Sequence, residues 1–325
     1  MSFRSVLFLI PLALAVPLAF GNSSFNINPT FSSNITGDPN AAAIEATITN
    51  AVGIYNSTFL VPGLSPVTVN IKFDESSSVG LGQSSTAVSQ VSYSAYCNAL
   101  QSAGTPGAAG LNCAMDPFGG TDITLKTANI RALGLPGGIV ALDGTITFNQ
   151  TITNPGGPGS SDVFPLQPVI EHEIDEVLGL GSGLDNINNS SDATITSTDG
   201  PAAEDLFRYS APGVLAYGSA VGASCGNGSP IGTAYFSVDG GNTILAGFNN
   251  ACNGGDWGDW DGGTSRVQNA FANGSNPTLG VEITALEAVG FDSAIPEPAT
   301  FVLVGSVLLG AGLLRRRAAS RKNPN

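Results

Sequence analysis

The chain has 325 residues, of which 11% are charged and 42 are glycine, where about a quarter charged is usual, so its surface rests on Ser, Thr, Asn and Gly rather than on ion pairs. Between residues 22 and 295 only Lys72, Lys126, Arg131, Arg208 and Arg266 face 24 acidic residues, a net charge of −19. That balance excludes nucleic acid as a partner, while 42% hydrophobic residues over a segment of roughly 270 suffice for one large core.

Residues 1–21 read as a signal peptide. Arg4 supplies a positive start, Val6 to Leu18 is almost wholly apolar, and Ala19-Phe20-Gly21 places small residues three and one positions before a cut after Gly21. Pro11 and Pro17 interrupt a stretch already shorter than the roughly 20 residues of a membrane span, which favours a cleaved signal over an anchor.

In the exported segment, 22–292, Ala41–Phe59 carries apolar residues three or four apart and predicts an amphipathic helix, ended by Pro62-Gly63. Val67–Phe73 alternates apolar and polar residues, the pattern of a half-buried strand. Ser84–Ser102 is expected to be helical, with Val88, Val91, Tyr96 and Leu100 on one side. Asp122–Thr127 and Gly144–Asn149 are short strand candidates separated by a turn at Leu133–Gly138, and Asn154–Ser161 is a loop.

Leu166–Leu180 is the most informative helix, because it holds His172, the single histidine of the chain, within Glu171-His-Glu-Ile-Asp-Glu-Val-Leu-Gly179. At 100° per residue His172 and Glu176 share a face, Glu173 lies beside them, and Leu166, Ile170, Ile174, Val177 and Leu178 form the opposite stripe. One imidazole and one carboxylate four residues apart can ligate a single divalent ion, with Glu173 as general base toward an activated water. Protonation of the imidazole should weaken binding as the pH falls through roughly 6. Glu171 and Asp175 extend the polar groups into one continuous arc, which a plain surface helix would also show.

Beyond this helix the chain becomes loop-rich and β-rich. Tyr235–Ile244 has strands flanking a turn at Asp239-Gly240. Asp256-Trp-Gly-Asp-Trp-Asp-Gly-Gly263 gathers Asp256, Asp259 and Asp261, either as calcium ligands or as an Asx-turn loop with Trp257 and Trp260 packed inward. The two tryptophans also raise carbohydrate binding as an option. Leu279–Val289 closes the domain with a helix. Four cysteines in an oxidising compartment point to disulfides, for which three pairings exist; Cys97 with Cys113 and Cys225 with Cys252 each close a short loop.

Ser293–Pro298 is a linker ending in Pro296-Glu-Pro298, followed by sixteen uncharged residues, Ala299–Leu314, and then Arg315, Arg316 and Arg317 at the head of a basic tail to Asn325. The arginines hold that end in the cytoplasm. This order resembles the PEP-CTERM sorting signal of Gram-negative bacteria. The resemblance implies an exosortase as partner, a transient inner-membrane anchor through residues 299–325, and then release to the cell surface or medium.

His172-Glu-Ile-Asp-Glu-Val-Leu-Gly-Leu-Gly181 is similar to the metzincin HExxHxxGxxH helix, and with Asp205–Gly213 downstream it resembles a group of PEP-CTERM proteins described as metalloprotease-like. The resemblance implies an α+β, zincin-like fold with a mixed sheet and an active-site helix. It also implies a metal-dependent peptidase acting on peptide substrates, with His172 and Glu176 as ligands, Glu173 as base and the chain turning at Gly179 toward a third ligand. Ser182 stands where the third histidine would be, and no methionine follows His172; Asp185, Glu204 or Asp205 are candidates for the missing ligand. Such an oxygen-rich set would hold zinc, manganese or calcium. The rival expectation is a non-catalytic surface or biofilm-matrix protein on a degenerate zincin frame.

Overall fold

Alternation of apolar and polar residues builds the central sheet of the computed structural model, which describes residues 22–63, 65–120, 122–157, 163–184, 200–217, 233–251 and 253–294. The two terminal signals, Asp185, Cys225 and Cys252 lie outside them. The elements are β1 (Asn22–Phe31), α1 (Ser33–Gly37), α2 (Ala41–Thr58), β2 (Phe59–Pro62), β3 (Val67–Glu75), β4 (Gly82–Thr86), β5 (Val88–Val91), α3 (Tyr93–Ala103), β6 (Ile123–Lys126), α4 (Thr127–Ala132) and β7 (Gly144–Phe148). They continue with β8 (Thr153–Asn154), β9 (Phe164–Pro165), α5 (Leu166–Leu178), β10 (Arg208–Ala211), β11 (Val214–Leu215), β12 (Tyr235–Phe236), β13 (Ala246–Gly247), α6 (Val281–Ala288) and β14 (Asp292–Ser293).

The main sheet has the order β14-β2-β1-β3-β7-β4. Strands β1, β3 and β7 are parallel, whereas β2, β14 and β4 pair antiparallel with their neighbours. On β3 the residues Val67, Val69, Ile71 and Phe73 are buried and Thr68, Asn70 and Lys72 point away, so one face is covered and the other is wet. Helix α2 packs on β1, α5 on β4 and β7, and the two helices on each other. Strand β1 begins at Asn22, the residue after the expected signal cut, and the Asn22 side-chain amide bonds the Asp292 carboxylate on the last strand.

Three sequence expectations need correction. Ser84–Ser102 is not one helix: Gln83-Ser-Ser-Thr86 and Val88-Ser-Gln-Val91 form β4 and β5, and α3 starts only after Ser92, whose hydroxyl accepts from Ala95 N. Serine and threonine compete for backbone hydrogen bonds, and β-branched valine favours strands, which overrides the apparent helical spacing. The turn after β12 is wider than Asp239-Gly240. The Asp239 carboxylate accepts from Ser237 Oγ, Thr243 N and Thr243 Oγ1, so Phe236 pairs with Ala246. Finally, Ser293 belongs to β14 rather than to a linker, and Ala294 N still donates to Thr58 O. The Cys97–Cys113 disulfide ties α3 to the loop after it.

Candidate metal centre

Helix α5 runs through the interior, and the arc of acids beside His172 is not a solvated face: Glu171, Glu173 and Asp175 are all buried. On the side toward α2, the Tyr55 hydroxyl lies 2.6 Å from Asp175 Oδ1 and 2.7 Å from the Glu171 carbonyl oxygen. Burial, with Glu282 nearby, raises Asp175 well above the usual carboxylate range. Glu171 is pushed up to about 7, again by burial first, although Gln167 donates to its carboxylate and opposes the shift. Asn129 donates to Leu178 O at the end of the helix and fixes where it stops.

On the other side His172, Glu173 and Glu176 face a cleft of about 640 Å³. Its walls are the β4 edge from Gly80 to Ser84, Pro168 and Val169 of α5, Asp256 and Asp259, and the segment from Arg266 to Pro277. His172 Nδ1 donates to Val267 O at 3.1 Å, and its Nε2 is turned toward Glu176 and Asp259. Nε2 is 3.6 Å from Glu176 Oε1 and 3.6 Å from Asp259 Oδ1, and one ligand atom from each of the three residues falls within 4.8 Å of the others. Ligand atoms at about 2.1 Å from a tetrahedral ion are roughly 3.4 Å apart, so the spacing suits a shared cation. Ser84 Oγ donates to the second oxygen of Glu176 at 2.5 Å, and Gln268 Nε2 donates to Asp259 Oδ1 at 2.8 Å while lying 3.4 Å from His172 Nε2.

The charges are strongly coupled. Burial by itself would lower the affinity of His172 for a proton, but Asp259, Glu176 and Glu173 together outweigh it and raise the imidazolium well above its ordinary value. The expected proton competition near pH 6 is therefore moved upward. Glu173 is raised well above the carboxylate range by burial and by Glu176, and Asp256 is raised by burial and by Glu176. For Glu176 burial is opposed by His172, Ser84 and Lys126, which leaves its carboxyl below the ordinary value. The Glu173 carboxylate lies against Gly82, where a Cβ would approach Oε1 to 2.3 Å.

Asp259 was not among the residues expected to complete the set. Its loop reaches the helix because Trp257 and Trp260 are buried, and because Gly258 packs against the backbone of Gly181 and Ser182, where a Cβ would come within 2.4 Å of Gly181 Cα. Arg208 donates to Trp257 O, and Trp260 Nε1 donates to Glu282 Oε1 at 3.0 Å. The inward tryptophans agree with the Asx-turn expectation and remove the aromatic platform that carbohydrate binding would need. The calcium-loop expectation also changes: Asp259 turns toward His172, whereas Asp261 accepts from Gly263 N.

Asp185 lies outside the described residues. Glu204 and Asp205 are buried but serve the turn after α5: Glu204 accepts from Gly181 N, and Asp205 from Ser182 Oγ, Gly183 N and Ala202 N. Ser182, at the position of the third metzincin histidine, thus donates to Asp205. The signal that could have found Asp259 is its place between two tryptophans in a glycine-rich loop, since a buried pair of that kind fixes the carboxylate between them.

Residues 294–317 match the family model described as the PEP-CTERM protein-sorting motif. No curated protein and no solved structure matches the chain. The protein is therefore an exported one, carrying a C-terminal signal for exosortase-type sorting machinery and destined for the surface.

Proposed function

We propose that the exported domain is a metal-dependent peptidase on a zincin-like frame, with His172, Glu176 and Asp259 as the metal ligands and Glu173 as the general base. The observation that carries this reading is the convergence of Glu176 Oε1 and Asp259 Oδ1 on His172 Nε2, each at 3.6 Å, with the Nδ1 side fixed by Val267 O. The same separations fit ion pairs of a protonated imidazole, and they also suit three ligands of one ion. A divalent ion held there would polarise a scissile carbonyl and make water more acidic. One imidazole and two carboxylates accept manganese or calcium as readily as zinc.

The chain supplies the rest. Glu173 sits beside the cluster on the cleft wall, and its raised affinity for a proton suits it to take one from the attacking water and return it to the departing amine. Pro168, Val169 and Phe271 give the cleft an apolar side that excludes water from a bound peptide.

A second reading is favoured by Gln268, whose amide donates to Asp259 and approaches His172 Nε2, and by the ion pairs of His172 with Glu176 and Asp259, which hold the cluster together without an ion; the protein would then be a non-catalytic surface or matrix component. The experiment that separates them is metal analysis of the purified protein with peptide-hydrolysis assays. The peptidase reading expects close to one equivalent of a divalent ion, lost in His172→Ala, and a Glu173→Gln variant that keeps the ion and loses hydrolysis by roughly 10²–10⁴-fold. A folded wild type with no ion above background supports the second reading.

A further inference from the structure

The loop from Leu135 to Leu142 exposes Pro136, Ile139, Ala141 and Leu142, Ile139 at 93% and Leu142 at 41%, while Leu135 packs on the core. Strand β5 runs beside it, because Ala87 N donates to Asp143 O and Ser89 Oγ lies against Gly137. Contiguous exposed apolar groups on a chain otherwise clothed in Ser, Thr and Asn mark a contact surface rather than chance.

Its position identifies the contact. Arg131 bridges Gly138 O to Thr68 O, Thr68 is in register with Asn26, Asn56 bonds the Asn26 side chain, and Thr58 O accepts from Ala294 N. Thr68 and Ala294 thus lie on one row across β3, β1, β2 and β14, three strand spacings or about 14 Å apart. Gly138 lies beyond Thr68 by the width of the Arg131 guanidinium that bridges them. From Ala294 to the start of the apolar stretch at Ala299 there are five residues, which span at most about 17 Å. A chain sorted through residues 294–317 and held in the bilayer by that stretch therefore keeps this row within a few residue lengths of the lipid.

The geometry points to the Leu135–Leu142 loop as a lipid-contacting surface of the anchored chain. The contact is apolar: the Arg131 guanidinium is occupied by Asp143 at 2.8 Å, and the domain as a whole is strongly acidic, so attraction to anionic headgroups contributes nothing. Three or four apolar side chains would not hold a free domain on a membrane, but the anchor supplies a high effective concentration. One consequence is orientation. The loop leads into β7 at Gly144, whereas Phe148, at the other end of that strand, pairs with Gly82 on the cleft wall. Contact through the loop points the cleft away from the bilayer.

The test uses the chain from Asn22 to Asn325 reconstituted through its C-terminal segment into vesicles of phosphatidylcholine, or of phosphatidylethanolamine with phosphatidylglycerol, containing acyl chains brominated near the headgroup. Ile139→Trp should show emission quenched and blue-shifted equally in both compositions. Phe271→Trp, an exposed position on the cleft, should show neither change. Ile139 makes so little contact with the fold that the variant should keep the wild-type melting temperature. Quenching at 139 no greater than at 271 overturns the inference. Quenching only with phosphatidylglycerol overturns its apolar basis. A detergent-solubilised dimer that Ile139→Asp converts to monomer would assign the loop to a second copy instead.

Discussion

His172 shows how much a single side chain depends on its neighbours. Because three carboxylates hold its proton, a metal ion at the proposed site would have to displace that proton, and on that reading the affinity for zinc or manganese should rise about tenfold per pH unit below the raised pKa and level off above it. A competition titration against a chelator between pH 6 and 9 checks this; a plateau already reached below the ordinary histidine value would contradict the carboxylate environment. On the other side of the helix, Glu171 has its own pH signature. Its folded pKa of about 7 lies above the unfolded value of 4.5, so its stabilising contribution is complete below 4.5 and is lost as the pH rises through 7. A shift of that size corresponds to about 3 kcal/mol. Glu171→Gln, uncharged at every pH, should therefore be more stable than wild type at pH 8 and nearly equal to it at pH 4.5, as read by denaturant unfolding at the two values.

At the scale of elements, α2, β3 and α5 were legible because each carries its own periodicity: Val67, Val69, Ile71 and Phe73 alternate, and the stripe from Leu166 to Leu178 recurs every three or four residues. The β4–β5 segment was not, since Val88 and Val91 fit a helical spacing as well as a strand, and the decision came from the serines around them and from pairing with β7 and β6. Local pattern likewise put His172, Glu173 and Glu176 side by side but gave no link from them to Asp259, which is brought in by the packing of Gly258 on Gly181. That contact gives a test confined to the loop. Gly258→Ala should displace it, lower stability by about 1–3 kcal/mol and weaken binding at the proposed metal site, although Gly258 itself supplies no ligand atom. Unchanged metal content in a folded variant would separate Asp259 from the site.

Seen as a whole molecule, the protein is an acidic domain followed by a C-terminal sorting motif. No helix among the described residues is long and apolar enough to cross a membrane. Removing Pro296–Asn325 should accordingly move the protein from the membrane fraction to the medium, which immunoblotting of fractions would show; retention in the membrane would contradict the sorting role of that segment. The contact between Asn22 and Asp292 joins the first described strand to the last one before the sorting motif. Strand β2 has β14 as its outer neighbour, and β14 is supplied by the last residues before the sorting motif. Export delivers the chain from the N-terminus, so β2 waits with an open edge until nearly the whole domain has emerged. An open edge invites pairing with other chains. The fold is thus completed only when the residues just before the sorting motif have emerged, so the outer edge of the sheet is the last part of it to close.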